Sequence, residues 1–503
     1  MKLLIHSPTK AYIRSASQEE MDQLVKSLSY VDLAAKYELK RLSKNHWFKT
    51  SNPEKYKLTY DLLKSRINQT LIFEENGLKY IRPGSIPYLV AESGICLDIA
   101  NGIKYPTPKK IPWAKPLPWN LTEDQDISVN KLIPIIHGNV EMATGTGKSA
   151  IILKLCREMG LKCAIVAPSK AIFNELVQKL ELHLGKGNIG KFGDGKKKIG
   201  KRITVCIGDS LCNIKRDSEE WKFFSKLDML IVDESHAWGS DTLEEVCHGV
   251  LADVPYRFFL SATQIRNDGG QKLLQSIIGE TVHTLSTSDA VKKGYICPHD
   301  YKIVKIESSD PNLTASDPLM IKRELFLRNR NIAKFTAKLA NALAARGEQT
   351  LILVEELSQI VQLKSLLSVS FGYAHSETKP DRLAELGLEK VDPQEQIDRF
   401  NKNEIKVLVG TSCIHVGSNI FPGTNTVNWV GGSSDIKTRQ GAIGRSIRLA
   451  GSNPYKDKCG PKPKVTIWDF DVVGNFVLER HLEDRLACYQ DSGEDLIKYV
   501  KLK

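Results

Sequence analysis

Eight consecutive residues, Met142-Ala143-Thr144-Gly145-Thr146-Gly147-Lys148-Ser149, combine the types that hold a chain of phosphates. Glycines at 145 and 147 let the backbone curl until several N–H groups point at one anion, and a helix starting there adds the positive end of its dipole. Thr144 and Thr146 complete the turn, Lys148 reaches the outer phosphates, and the Ser149 hydroxyl binds Mg²⁺. The pattern G-x-x-x-x-G-K-[ST] is met except that Met142 stands at its first glycine. A second chemical pair, Asp233-Glu234, follows the apolar run Met229-Leu230-Ile231-Val232. That spacing puts two carboxylates at the carboxyl end of a buried strand, where open α/β sheets hold ligands. Asp233 is suited to hold Mg²⁺ through water, and Glu234 to polarise a water attacking the terminal phosphate. The two motifs together imply binding and hydrolysis of ATP.

Such groups work only if strands and helices present them. Upstream of the loop, the apolar run Leu132-Ile133-Pro134-Ile135-Ile136 reads as the strand entering it, and Ala150 to Leu155 has helical spacing. From 121 to 298, strand-like runs at 163–167, 203–207, 229–232 and 258–260 alternate with helical patterns, which predicts a parallel sheet covered by helices. Gly193-Asp194-Gly195 before Lys196 to Lys198 predicts a charged hairpin tip. A second α/β unit is expected over 299–503, with a helix from Arg330 to Ala345 and strands at 351–354, 407–409, 426–430 and 465–468. It carries no phosphate loop of its own and ends in a helical tail from Asn475. Residues 104–120, with Pro106, Pro108, Pro112, Pro116 and Pro118, read as a semi-rigid linker. Residues 1–103 form a small α+β accessory domain: helical spacing runs from Gln18 to Leu28, and Asn76-Gly77 joins two alternating runs as a hairpin. Lys40, Arg41, Lys44 and Lys49 around Trp47 are candidates to contact a phosphate backbone.

Composition narrows the partners. Lys and Arg total 71 against 59 Asp and Glu, giving +12 and a pI near 9.0, which favours a polyanion such as nucleic acid. No stretch approaches the length of a membrane span, and the N-terminal apolar run is too short for a secretory signal, so an intracellular, cytoplasmic location is expected. The 10 cysteines are scattered without a C-x-x-C pair, the pattern of free thiols in a reducing compartment.

With the loop and Asp233-Glu234-Ser235-His236 in one domain, the chain resembles the DExH class of superfamily 2 helicases from about Leu121 to Leu449. The resemblance implies two tandem RecA-like domains and assigns further residues by motif. Gln125 matches the glutamine that reads adenine, with Trp119 nearby as a possible stacking partner. Pro168, Ser169 and Lys170, then Gly208 and Ser210, match segments that grip the nucleic-acid backbone. His236, Ser261 and Thr263 match positions that couple hydrolysis to movement. Thr411 and Ser412 match a nucleic-acid contact, and Gly417 with Asn419 a nucleotide contact, although the family usually has Asp where Asn419 stands. Gln440-Gly441-Ala442-Ile443-Gly444-Arg445-Ser446-Ile447-Arg448 fits Q-x-x-G-R-x-x-R without a gap. It makes Gln440, Arg445 and Arg448 catalytic, with the arginines contributing about 10³ to 10⁵ in rate.

More loosely, the Gly193 hairpin, Arg328-Asn329-Arg330-Asn331, the ending Ile467-Trp468-Asp469-Phe470 and the small N-terminal domain resemble phage recombination helicases of the UvsW kind. That resemblance implies an ATP- and Mg²⁺-dependent helicase acting on forks and Holliday junctions, in the host cytoplasm if phage-encoded. An RNA helicase, a duplex translocase that does not separate strands, and an ATP-gated nucleic-acid clamp stay open as alternatives.

Overall fold

The computed structural model describes every residue except 236–237, 239, 263–269, 309–316, 415–419, 433–442, 450–452, 491 and 501–503. The chain divides into two compact units, Met1–Met142 with Gly147–Thr284, and Ala143–Thr146 with Leu285–Lys503.

The first unit begins with a five-stranded mixed sheet ordered β5-β6-β2-β1-β7, built from β1 (Lys2–Ser7), β2 (Lys10–Ser15), β5 (Ile72–Glu75), β6 (Leu78–Ile81) and β7 (Asp98–Asn101). The predicted hairpin is β5–β6, with Asn76 at φ 51° and Gly77 at φ 75° as a two-residue turn requires. The predicted helix is Gln18–Leu28, closed at its start by a capping box between Ser17 and Glu20. A short ribbon, β3 (Ser29–Val31) against β4 (Asn68–Thr70), carries three helices, Leu33–Ser43, His46–Ser51 and Pro53–Ile67, that the sequence reading did not separate.

The eight strands that follow are β8 (His137–Met142), β9 (Cys163–Ala167), β10 (Ile189–Gly193), β11 (Lys196–Lys198), β12 (Ile203–Ile207), β13 (Met229–Asp233), β14 (Tyr256–Ser261) and β15 (Glu280–Leu285). Their order is β11-β10-β12-β9-β13-β14-β8-β15, and pairing is parallel from β10 through to β8. Strand β11 returns antiparallel to β10 through Asp194 and Gly195, both at positive φ, so the charged tip is a hairpin. The expected strand at 132–136 needs correction: those residues end the helix Glu123–Ile135, and the strand entering the loop is β8. Apolar residues alone do not separate a helix end from a strand, and Ile136 at φ 70° marks the break. Leu230, Val232 and Phe259 are buried with Val246 and Ile277 from flanking helices in one cluster.

The N-terminal sheet packs on this layer. Its apolar cluster reaches Leu273, and a side chain on Gly84 would meet the Ser276 carbonyl oxygen at 2.3 Å. Arg82 is buried at the contact, donating to Ser276 Oγ at 3.2 Å and pairing with Glu244, while Tyr88 Oη donates to the Gly279 carbonyl at 2.8 Å.

The second unit is a seven-stranded, wholly parallel sheet ordered β18-β19-β17-β20-β21-β16-β22. Its strands are β16 (His299–Glu307), β17 (Thr350–Val354), β18 (Phe371–Ala374), β19 (Val407–Gly410), β20 (Asn425–Trp429), β21 (Val465–Val473) and β22 (Ile497–Val500). The helix Arg330–Ala345 has its predicted bounds, and the tail helix Phe476–Gln490 is followed by β22, which joins the sheet beside β16. A buried network of Arg485, Asp469 and Tyr489 ties that helix to β21. All ten cysteines are free thiols, and among the described residues no helix is long and apolar enough to cross a membrane.

Candidate nucleotide and nucleic-acid sites

Strand β8 ends at Met142 and the helix Lys148–Met159 follows after a five-residue loop, across which the buried Lys148 reaches back to donate from Nζ to the Met142 carbonyl at 3.2 Å. Between them Gly145 and Gly147 sit at φ 88° and 83°, in the left-handed region that side chains rarely enter. Thr146 Oγ1 donates to the Ala143 carbonyl at 2.7 Å and ties the turn. A Cβ on Gly147 would lie 2.6 Å from Gln125 Nε2 and would have to sit at φ 83°, so a side chain there is strained and displaces the Gln125 amide. Gln125 thereby stands against the loop. Its Oε1 accepts the Thr122 N–H at 3.0 Å in a capping box, and its Nε2 donates to the Gly147 carbonyl at 3.4 Å. Trp119 is half-exposed and stands edge-on to His183, with ring centres 6.5 Å apart.

The carboxylates stand across from the lysine. Glu234 Oε1 is 3.3 Å from Lys148 Nζ, and Asp233 Oδ1 accepts the Glu234 N–H at 3.0 Å. Burial, and then the adjacent Glu234, push the Asp233 carboxyl up to about 7, while Lys148 pulls it down. Glu234 holds φ 49°, a left-handed conformation that costs a non-glycine residue on the order of 1 kcal/mol and is kept because neighbours enforce it. The buried Asp233 and half-buried Glu234, with Lys148 between them and the glycine cradle, are the donor set that Mg²⁺ with a nucleoside triphosphate fits.

Two residues at this site carried no signal in the sequence. Lys179 Nζ donates to Ser149 Oγ at 2.8 Å and to Glu175 at 2.5 Å. Both stand on the helix Lys170–Leu184 at i and i+4, an ordinary surface pairing until the fold turns it toward the loop.

The other motifs of the first sheet share its carboxyl rim. Ala167 pairs with Ile207 and Asp233 with Leu260, so the segments after β9, β12, β13 and β14 emerge side by side. Ser169 caps its helix by accepting the Ile172 N–H, Pro168 is half-buried, and exposed Lys170 pairs with Asp194 at 2.8 Å. Gly208 opens the helix that contains half-buried Ser210, and a Cβ there would fall 1.7 Å from the Trp238 ring. Ser261 is fully buried at the end of β14. His236 and Thr263 lie outside the described residues.

On the second sheet, Thr411 and Ser412 follow β19, with the Thr411 N–H donating to the Ala374 carbonyl at 3.0 Å. They line a polar cavity of about 470 Å³ with Arg323, Arg328 and His375, at the same carboxyl end of the strands. Arg445 is buried in the turn Gly444–Ser446, whose Ser446 Oγ donates to Thr426 Oγ1 at 2.6 Å. Lys462, also without a sequence signal, donates to the carbonyls of Phe421 at 2.5 Å and Ser446 at 2.6 Å. Burial pushes its amine down to about 7, and Arg448, 6.0 Å over the Phe421 ring, adds to that. Gly417, Asn419 and Gln440 lie outside the described residues.

Residues 120–266 match the family described as type III restriction enzyme, res subunit, and residues 333–450 match the helicase conserved C-terminal domain. The chain belongs to the superfamily 2 helicases and is an ATP-dependent helicase by class. It is 24% identical over 342 residues to the DNA 3'-5' translocase XPB2 of Sulfurisphaera tokodaii, covering 62% of this chain and 75% of that one. A fragment of an HsdR subunit of a type I restriction enzyme from Vibrio vulnificus shares the fold, with a TM-score of 0.51, 15% identity, and 75% of this chain and 67% of that one aligned. T4 UvsW aligns over 100% of this chain and 99% of its own, at 16% identity and a TM-score of 0.41.

Proposed function

We propose that this helicase uses ATP and Mg²⁺ to unwind or branch-migrate branched DNA, such as forks and four-way junctions, in recombination, repair or replication. The observation that carries the reading is the Lys148–Glu234–Asp233 arrangement on the same sheet rim as the Ser169 and Gly208 segments. A hydrolytic site and a backbone-gripping surface on one rim give ATP turnover a route to movement. DNA is favoured over RNA by the DNA translocase among the chain's relatives, and the +12 charge suits either polyanion. Branched substrates are favoured by the segments at Gly193, Arg328 and Ile467 that resemble phage recombination helicases, and by an N-terminal domain fixed to the first motor sheet through Arg82.

In this reading the N–H groups of the 144–149 loop and Lys148 hold the triphosphate, Ser149 and Asp233 hold the metal, and Gln125 faces the base. Glu234 takes a proton from the attacking water, and the bound metal supplies charge to the phosphate oxygens. Arg445 and Arg448 stabilise developing charge, while Gln440, His236, Ser261 and Thr263 couple the site to motion. Pro168, Ser169, Lys170, Gly208, Ser210, Thr411 and Ser412 hold the backbone. Opening a base-pair step costs ~1.4 kcal/mol in stacking. Branch migration re-forms one pair for each it breaks, so a motor with modest grip suffices.

The test is the ATPase rate at fixed salt with no nucleic acid, single-stranded DNA, duplex, a four-way junction or structured RNA. Strongest stimulation by the junction is expected. Stimulation by RNA alone would assign an RNA helicase, and no stimulation by any would leave an ATP-gated clamp.

A further inference from the structure

The three helices on the β3–β4 ribbon form a finger with unusual chemistry. Residues 33–67 carry nine Lys and Arg against three Asp and Glu, so 35 residues hold +6 of the chain's +12. Among the described residues only Arg66 of those nine has an ion-pair partner, Asp32 at 3.8 Å. Lys36, Lys40, Arg41, Lys44, Lys49, Lys55, Lys57 and Lys64 are all exposed. Of its residues with described burial, only Ala35 and Leu63 are buried, since the outer helices pack on each other and little else of the segment is enclosed.

The short helix His46–Ser51 reverses the chain between the two longer ones, at the end remote from the ribbon. The helix Pro53–Ile67, 15 residues long, rises about 22 Å, so that end stands well clear of its base. Asn45 caps the short helix by accepting the Phe48 N–H at 3.0 Å. Phe48 packs toward Tyr56, with ring centres 6.2 Å apart, and Tyr56 stacks on Tyr60. Trp47, its neighbour, is left 73% exposed between Lys44 and Lys49. An indole in water flanked by cations with no ion-pair partner among the described residues, Lys49 lying 5.9 Å over the Tyr56 ring, is the composition of a base-stacking platform, since every base has a π-face and every nucleotide a phosphate.

We propose that this finger grips nucleic acid and that Trp47 stacks on an exposed base or terminal base pair where strands of a branched substrate part. The proposal rests on the nucleic-acid reading above and names the element that recognises the branch. The cations make an anionic occupant necessary, and the tryptophan between them makes bases, not phosphates alone, the contact. An acidic protein surface would use the same charge but would not need a stacked ring.

The experiment compares wild type with Trp47→Ala, Trp47→Phe and the fourfold variant Lys40→Gln/Arg41→Gln/Lys44→Gln/Lys49→Gln. Every substituted side chain is exposed, and a melting curve for each checks folding. Anisotropy titrations use a forked DNA and its linear strands, and a fork with 2-aminopurine at the first pair reports unstacking. Trp47→Ala should bind the fork about 5- to 100-fold more weakly and lose the 2-aminopurine signal, while linear strands lose little and Trp47→Phe recovers most of both. Part of the intrinsic fluorescence quenched by DNA in wild type should vanish in Trp47→Phe. Unchanged fork binding in Trp47→Ala and in the fourfold variant, with wild-type ATPase still stimulated by DNA, would overturn the finger and leave the helicase reading standing, the patch then being a protein-docking surface. A wild type that neither binds nor responds to any nucleic acid would sink both.

Discussion

Lys148 Nζ sits 3.3 Å from Glu234 Oε1 while also donating to the Met142 carbonyl, so the loop lysine bridges the start of its own loop and a carboxylate at the end of β13. In the proposed function the lysine holds phosphates and its partner takes a proton from water. Removing either should have different effects. Lys148→Ala should abolish measurable ATP binding and with it ATPase and unwinding. Glu234→Gln should bind ATP within about threefold of wild type yet lose about 10² to 10⁴ in turnover, the range for a general base. Calorimetric binding beside steady-state turnover checks both, and weak ATP binding in Glu234→Gln would remove the general-base assignment.

Arg448 belongs to a segment fixed by other groups, because Lys462 holds the carbonyls of Phe421 and Ser446 and Ser446 bonds Thr426. Truncating the guanidinium therefore leaves the backbone in place. Arg448→Ala should lower kcat by about 10³ with ATP affinity little changed, as expected for a group that acts on transition-state charge. Lost ATP binding would make Arg448 a ground-state ligand instead.

His137 opens β8, and its Nε2 lies 2.8 Å from the Ile277 carbonyl. Burial, then nearby Arg257, push its pKa down to about 4. A depressed pKa means that the folded protein binds this proton less readily than the unfolded chain. The stability it contributes is present above about 6.5 and is lost as pH falls through about 4. The melting temperature of the nucleotide-free protein should fall across that window. His137→Gln, which keeps a donor for the carbonyl and cannot be charged, should flatten the fall by about 2–4 °C for each kcal/mol recovered. An identical pH profile in the variant would show that other groups carry the acid loss.

Much of this was legible because short-range rules sufficed. Gly145 and Gly147 announce a turn, Asn76-Gly77 a hairpin, and the spacing of Ile332, Phe335, Leu339 and Leu343 a helix, each within a few residues. The fold class followed from the alternation of such pieces. What escaped was non-local. Lys179 on Ser149 and Lys462 on two carbonyls depend on helices and loops brought together from 30 and 16 or more residues away, with no pattern in the intervening chain. The helices of 33–67 escaped for the opposite reason: with so little buried, their apolar residues Leu33, Tyr37, Leu58 and Leu62 lie exposed and mark no core-facing stripe. In Leu132 to Ile136 the helix simply runs apolar to its end, one residue short of a strand.

Charge on the finger and along the strand ends makes a last prediction quantitative. If backbone phosphates dominate binding, each neutralised phosphate releases counterions, and affinity falls linearly with salt on logarithmic axes. Six to ten contacts would lower affinity by about 10³ or more between 50 and 200 mM salt. The fourfold variant at Lys40, Arg41, Lys44 and Lys49 should then show a shallower slope on forked DNA, by about 3 to 4 if all four residues meet phosphates. Lys170, already paired with Asp194, should contribute less than a free cation when changed to Gln. A salt-independent affinity would mean that stacking and hydrogen bonds carry the complex. An unchanged slope in the fourfold variant, with a steep wild type, would move the phosphate contacts from the finger to the strand-end rims.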